Sequence, residues 1–151
     1  MGIVLPFHLL AATVWVGGMF FAYMVLRPVA AAGLEPPERL RLWVGVFGRF
    51  FPWVWGAVIL LPLSGYLMLF SLFGGFTGAP PYVHLMHGLG LVMVTIYLLV
   101  YFSPYRQLCQ AVAQENWQAG GRHLARIRRW VGINLIIGIA VISIGGGRLF
   151  P

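Results

Sequence analysis

The fold is decided by an apolar run near the N-terminus, IVLPFHLLAATVWVGGMFFAYMVL, which occupies positions 3–26. A helix needs about 20 mostly apolar residues to cross the hydrocarbon core of a bilayer, because it rises only about 1.5 Å per residue. This run is long enough, and no Asp, Glu, Lys or Arg interrupts it. No basic residue precedes it as in a cleavable signal peptide, so we expect a retained membrane span.

Three further segments have the same character, at about 50–73, 82–102 and 130–147. The whole chain is 60% hydrophobic and 9% charged, whereas soluble domains carry roughly a quarter charged residues. The sequence therefore predicts an all-α, integral membrane four-helix bundle that forms a single domain over residues 1–151. We therefore expect the lipid bilayer to surround the bundle.

The basic residues predict the orientation of the bundle. All ten are arginine, and the connection at 74–81 contains no charge. Because basic residues in short loops stay in the cytoplasm, we expect both termini on the periplasmic side, with Arg148 facing outward. The net charge of +7 is then an orientation signal, and no nucleic-acid partner is expected, since a nucleic-acid groove needs a polar domain to carry it. The nine inward arginines are Arg27, Arg39, Arg41, Arg49, Arg106, Arg122, Arg126, Arg128 and Arg129.

The two arginine-containing connections have patterns of their own. We expect the first helix to end at positions 27–28, where Arg-Pro occurs, and Pro36-Pro37 to break the first connection. Residues 38–49 then predict an amphipathic helix along the membrane interface. A turn is expected at Gly120-Gly121, before the last arginine cluster. The apolar face of the amphipathic helix comprises Leu40, Trp43, Val44 and Phe47.

Three histidines are predicted to lie in one layer of the outer leaflet. His8 lies about 7 Å inside the outer end of the first span by helical rise, and His87 lies at a similar depth in the third span. His84 is one turn nearer the surface, whereas His123 belongs to the inner side. Ionisable residues within spans usually face the bundle interior, so these histidines are candidate functional residues. The alternative is that they only form hydrogen bonds between helices.

The available donors restrict the ligand. Imidazole binds copper, haem iron or zinc, and the three glutamates lie on the inner side, which disfavours Ca²⁺ and Mg²⁺. Cys109 is the sole cysteine, which excludes a clustered thiolate site. Two cofactors remain open. One is copper held by His8, His84 and His87 with a thioether from Met86, in a protein without catalytic activity.

The other cofactor is a single haem b, bound through His8 and either His87 or His84 as axial ligands, with Arg148 paired to a propionate. A haem would make the protein a b-type membrane cytochrome, for electron transfer or porphyrin oxidation. In both cases a periplasmic metal or electron donor is an expected partner. A homodimer is also expected, because four helices around a cofactor leave faces to cover.

Several stretches resemble the bacterial CopD family of copper-resistance membrane proteins: HLLAATVWVGGM at 8–19, LEPPERLR at 34–41, GRFFPWVW at 48–55, YVHLMHG at 82–88, and the segment 124–135. This resemblance implies a four-span, multi-pass protein of the bacterial inner membrane with a role in copper uptake or homeostasis. It also implies site roles for His8, Trp15, His84 and His87. A more distant resemblance is to the haem-binding HemJ-type protoporphyrinogen oxidases, which use a lysine; this chain contains none.

Overall fold

The computed structural model describes residues 2–147, and every regular element within that range is helical. Four long helices account for most of it: α1 (Val4–Gly33), α2 (Pro36–Phe73), α3 (Pro81–Ala113) and α4 (Trp117–Gly146). A short 3₁₀ turn, Phe76–Gly78, lies between α2 and α3. All four helices are long and apolar enough to cross a membrane, which confirms the predicted all-α fold of four potential spans.

Short connections make successive helices antiparallel, and the closest packing is between α1 and α2 and between α3 and α4. The bundle therefore has two distinct ends. At one end, which we call the terminal end, α1 and α3 start and α2 and α4 finish. The opposite end, which we call the arginine-rich end, contains the connections at 34–35 and 114–116.

The helix boundaries follow from local chemistry. Pro36 and Pro37 occupy the first turn of α2, where a missing N–H leaves no hydrogen bond unmade. The same helix stops at Gly74, which takes the left-handed conformation with φ of 69°. Asn116 caps α4, because its Oδ1 accepts a hydrogen bond from the backbone N–H of Ala119 at 3.1 Å.

Two π-helical turns lie near the ends of the predicted spans in α1 and α3, and both helices continue past them. The first, Phe21–Leu26, precedes Pro28, and the second, Tyr101–Tyr105, contains Pro104. Proline lacks the N–H of a regular helix and crowds the preceding turn, and a wider π turn relieves that crowding without ending the helix. The predicted helix end at positions 27–28 was therefore wrong, and α1 continues to Gly33.

The amphipathic pattern of residues 38–49 predicted a helix along the membrane interface, and this prediction was wrong. The segment is the first part of α2, and Leu40, Trp43 and Phe47 are buried in the bundle. Their partners are extensions of α3 and α4, since Leu108 and Ile127 are also almost fully buried in the same core. The arginine-rich end is thus a folded continuation of the four-helix core.

The turn predicted at Gly120-Gly121 was also wrong. Gly120 is buried inside α4, and a Cβ there would stand 3.0 Å from Leu40 Cδ1. A side chain at this position would press on Leu40, so glycine favours close helix packing here. The chain instead reverses at 114–116, where Glu115 has a φ of 55°.

Aromatic side chains join α2 to α3 in the core. The Phe51 ring centroid lies 5.6 Å from that of Tyr97 and 4.8 Å from that of Tyr105. Both contacts are edge-on, and such pairs contribute about 0.5–1.5 kcal/mol each beyond burial. In addition, the Tyr97 hydroxyl donates to the backbone carbonyl of Phe51 at 3.2 Å.

The outer surface of the bundle exposes many large apolar side chains, among them Ile136 (71% exposed) and Trp53 (68%). A lipid environment accommodates such side chains.

Candidate functional site

The sequence-predicted histidines lie at the terminal end of the bundle. His8 is in the second turn of α1, and His84 and His87 are in the first two turns of α3. Near its end, α2 supplies two polar partners, Ser64 and Tyr66. We refer to these five residues as the histidine layer.

A hydrogen bond to Ser64 favours one tautomer of His8. His8 Nδ1 lies 2.7 Å from Ser64 Oγ, and the buried Ser64 hydroxyl donates to the backbone carbonyl of Leu60 at 2.6 Å. A hydroxyl has only one hydrogen to donate, so a Ser64 hydroxyl that donates to Leu60 is placed to accept from His8 Nδ1–H. A neutral imidazole protonated at Nδ1 keeps its lone pair on Nε2. The contact with Ser64 therefore favours the tautomer of His8 in which Nε2 carries the free lone pair.

His87 is held by a different face of α2. Its Nε2 lies 2.8 Å from the Tyr66 hydroxyl. Tyr66 is two residues beyond Ser64, so at about 100° per residue their side chains leave α2 roughly 200° apart. A phenol hydroxyl donates or accepts equally well, so this bond orients the His87 ring without fixing its tautomer.

Phe76, in the 3₁₀ turn, packs against both histidines of α3. Its ring centroid lies 5.8 Å from that of His84 and 5.1 Å from that of His87. The centroid of the Tyr66 ring lies 6.3 Å from that of Phe76. His84 is exposed and His87 is half-buried.

Sequence reasoning identified the histidines but missed Ser64, Tyr66 and Phe76 as their partners. The available signal was the pair of hydroxyl residues near the end of the second span, at the depth of the histidines. Polar side chains in a span need a partner, and the histidines of the neighbouring spans were the nearest candidates.

The remaining sequence-predicted site residues lie elsewhere. Met86 packs against α4, with its Cε only 2.9 Å from where a Cβ on Gly145 would stand. Trp15 is buried in the core against Tyr97, at a centroid distance of 6.2 Å, and lies about 10 Å further along α1 than His8. Arg148 lies outside the described residues. The structure thus groups His84 with His87 and ties His8 to α2.

The histidine layer contains no carboxylate. The three glutamates of the chain, Glu35, Glu38 and Glu115, all lie at the arginine-rich end. Within residues 2–147, no three His, Cys, Asp or Glu side chains form a ready-made metal cluster. What the layer offers is imidazole nitrogen, the donor that suits copper and other transition metals.

The family model for copper resistance protein D, CopD, matches residues 44–147, about two thirds of the chain. The chain belongs to the CopD family. No curated protein and no solved structure matched it. Together with the four apolar helices, CopD membership makes it a copper-resistance-related, multi-pass membrane protein.

The CopD match confirms the family resemblance seen in the sequence motifs. It includes four members of the histidine layer, namely Ser64, Tyr66, His84 and His87. It begins after His8 and Trp15 and therefore does not cover them.

Proposed function

We propose that this CopD-family protein handles copper as its cargo and binds a copper ion at the histidine layer. His8 Nε2 is the first ligand, and the imidazoles of His84 and His87 complete the donor set. The supporting observation is the His8–Ser64 hydrogen bond. Histidines that bind metals almost always donate their other ring N–H to a fixed acceptor, which sets the tautomer and the ring orientation.

Copper suits the donors better than a hard cation. His84 and His87 are three residues apart and share one face of α3, while His8 approaches from α1. Because Ser64 and Tyr66 hold His8 and His87 on different faces of α2, a copper ion shared by all three histidines requires movement of the helix ends as well as changes in side-chain rotamers. Met86 is proposed as a further thioether donor, which would require it to leave Gly145.

The arginines suggest where the copper is taken up. Nine of the ten lie at or near the arginine-rich end, and the positive-inside rule assigns that end to the cytoplasm. The histidine layer then faces the periplasm of a bacterial inner membrane, where a periplasmic donor supplies the metal. The proposed role is copper uptake or homeostasis without catalysis.

The test is a Cu(I) titration of the purified, detergent-solubilised protein against a chromophoric chelator. We expect about one copper ion per chain, and His8→Ala and His87→Ala should weaken binding by more than the about 10–100-fold that loss of an outer-shell partner costs. His123→Ala, which alters a histidine at the arginine-rich end, is the matched control and should bind like the parent. Binding unchanged in both layer variants contradicts the proposal. A stoichiometric haem whose Soret band is lost in either variant also contradicts it and establishes the haem alternative.

A further inference from the structure

A second site is indicated at the arginine-rich end, independent of the copper proposal. A cavity of about 280 Å³ opens there between α1, α2 and α4. Three arginines line it, one from each helix: Arg27, Arg39 and Arg128. We call it the arginine cavity.

The positive charge of the arginine cavity is unbalanced. None of its lining residues is Asp or Glu. Within residues 2–147, the ion pair observed joins Arg41 to Glu115 at 3.8 Å, and neither of these residues lines the cavity. Guanidinium groups that face one small volume repel one another, so the arrangement favours a bound anion.

One of the three arginines is held in position. Arg27 Nε donates to the backbone carbonyl of Tyr23 at 3.1 Å, and its guanidinium carbon lies 4.4 Å from the centroid of the Tyr23 ring. This leaves its terminal N–H groups for a ligand. Guanidinium N–H groups match the spacing of phosphate oxygens and bind them in pairs.

The depth of the cavity indicates what carries the phosphate. Arg27 directly follows the apolar run of α1, and Arg128 lies two residues before the apolar run that begins at Trp130. The cavity is therefore at the level of the lipid headgroups. Its walls also include the apolar side chains of Trp43 and Phe47, which suit the glycerol and upper acyl portion of a lipid.

We propose that the arginine cavity binds the phosphate headgroup of an anionic phospholipid. Basic pockets between membrane helices bind anionic headgroups through the same chemistry. The lipid would bridge α1, α2 and α4 and neutralise the charge they present to one another.

Native mass spectrometry of the full chain in neutral detergent tests this proposal. We expect retention of about one phosphatidylglycerol, little retention of phosphatidylcholine, and no displacement of the retained lipid by millimolar inorganic phosphate. The variant R39Q/R128Q should bind phosphatidylglycerol at least about tenfold more weakly, because it loses two charge-assisted contacts.

The matched control is R49Q/R129Q, which removes the same charge from exposed positions of the same two helices outside the cavity. It should bind phosphatidylglycerol within about twofold of the parent. Equal loss in both double variants would show diffuse surface attraction and overturn the proposal. Equal retention of the two lipids, no retained lipid, or displacement by phosphate would also overturn it. Size-exclusion profiles and helical circular dichroism establish that both variants are folded.

Discussion

Replacing Ser64 with alanine should weaken copper binding without removing a ligand. In the parent, Ser64 Oγ accepts from His8 Nδ1–H at 2.7 Å while donating to Leu60 at 2.6 Å. The variant S64A removes that acceptor, so the His8 proton is free to move to Nε2 and the ring is free to rotate. Loss of such an outer hydrogen bond costs about 10–100-fold in metal affinity. That loss equals about 1.4–2.7 kcal/mol of binding free energy, at about 1.4 kcal/mol per tenfold.

Ser71 provides the matched control for this experiment. Its hydroxyl makes the same bond to the carbonyl four residues earlier in α2, to Leu67 at 2.6 Å. The assay is Cu(I) competition with a chromophoric chelator, run on detergent-solubilised S64A, S71A and parent protein of equal helicity. We expect S71A to bind within about twofold of the parent. Parent-like affinity in S64A would refute the argument that Ser64 holds His8 Nε2 ready for the metal.

Three further predictions concern stability, measured by thermal unfolding in detergent. Gly18→Ala places a methyl group against the Phe50 ring and should lower the free energy of unfolding by about 1–3 kcal/mol. The control Gly17→Ala meets open space, and equal effects of the two substitutions would contradict this packing. Asn116→Ala removes the α4 cap and should cost about 1 kcal/mol, and an unchanged midpoint would count against the cap. Asn134→Ala removes a buried hydrogen bond to the α3 backbone and should lower the free energy of unfolding by only about 0.6 kcal/mol, the average for hydrogen bonds between membrane helices. A loss of stability several times larger would contradict this prediction.

The depth of the histidines was predictable from the sequence, but their partners were not. Helical rise sets how far a residue lies along a span, so His8 and His87 could be matched in depth by counting. Counting does not reveal how each helix is rotated about its axis. That rotation decides that His8 meets Ser64 and that His87 meets Tyr66.

The arginine-rich end shows a second limit of the sequence. The stripe containing Leu40, Trp43 and Phe47 correctly predicted a helix with one apolar face. An apolar face requires a cover, but the pattern is the same whether lipid or protein provides it. In the structure, protein covers this face: the extensions of α3 and α4 bury it, and the arginine cavity lies beside it.

The proposed copper site is tested most directly by X-ray absorption at the copper edge, because the spectrum reports the ligand atoms themselves. For the Cu(I)-loaded parent protein we predict imidazole scattering that is weakened in His8→Ala and unchanged in His123→Ala. A copper spectrum without imidazole, or one that His8→Ala leaves unchanged, would contradict the assignment of the histidine layer as the copper site.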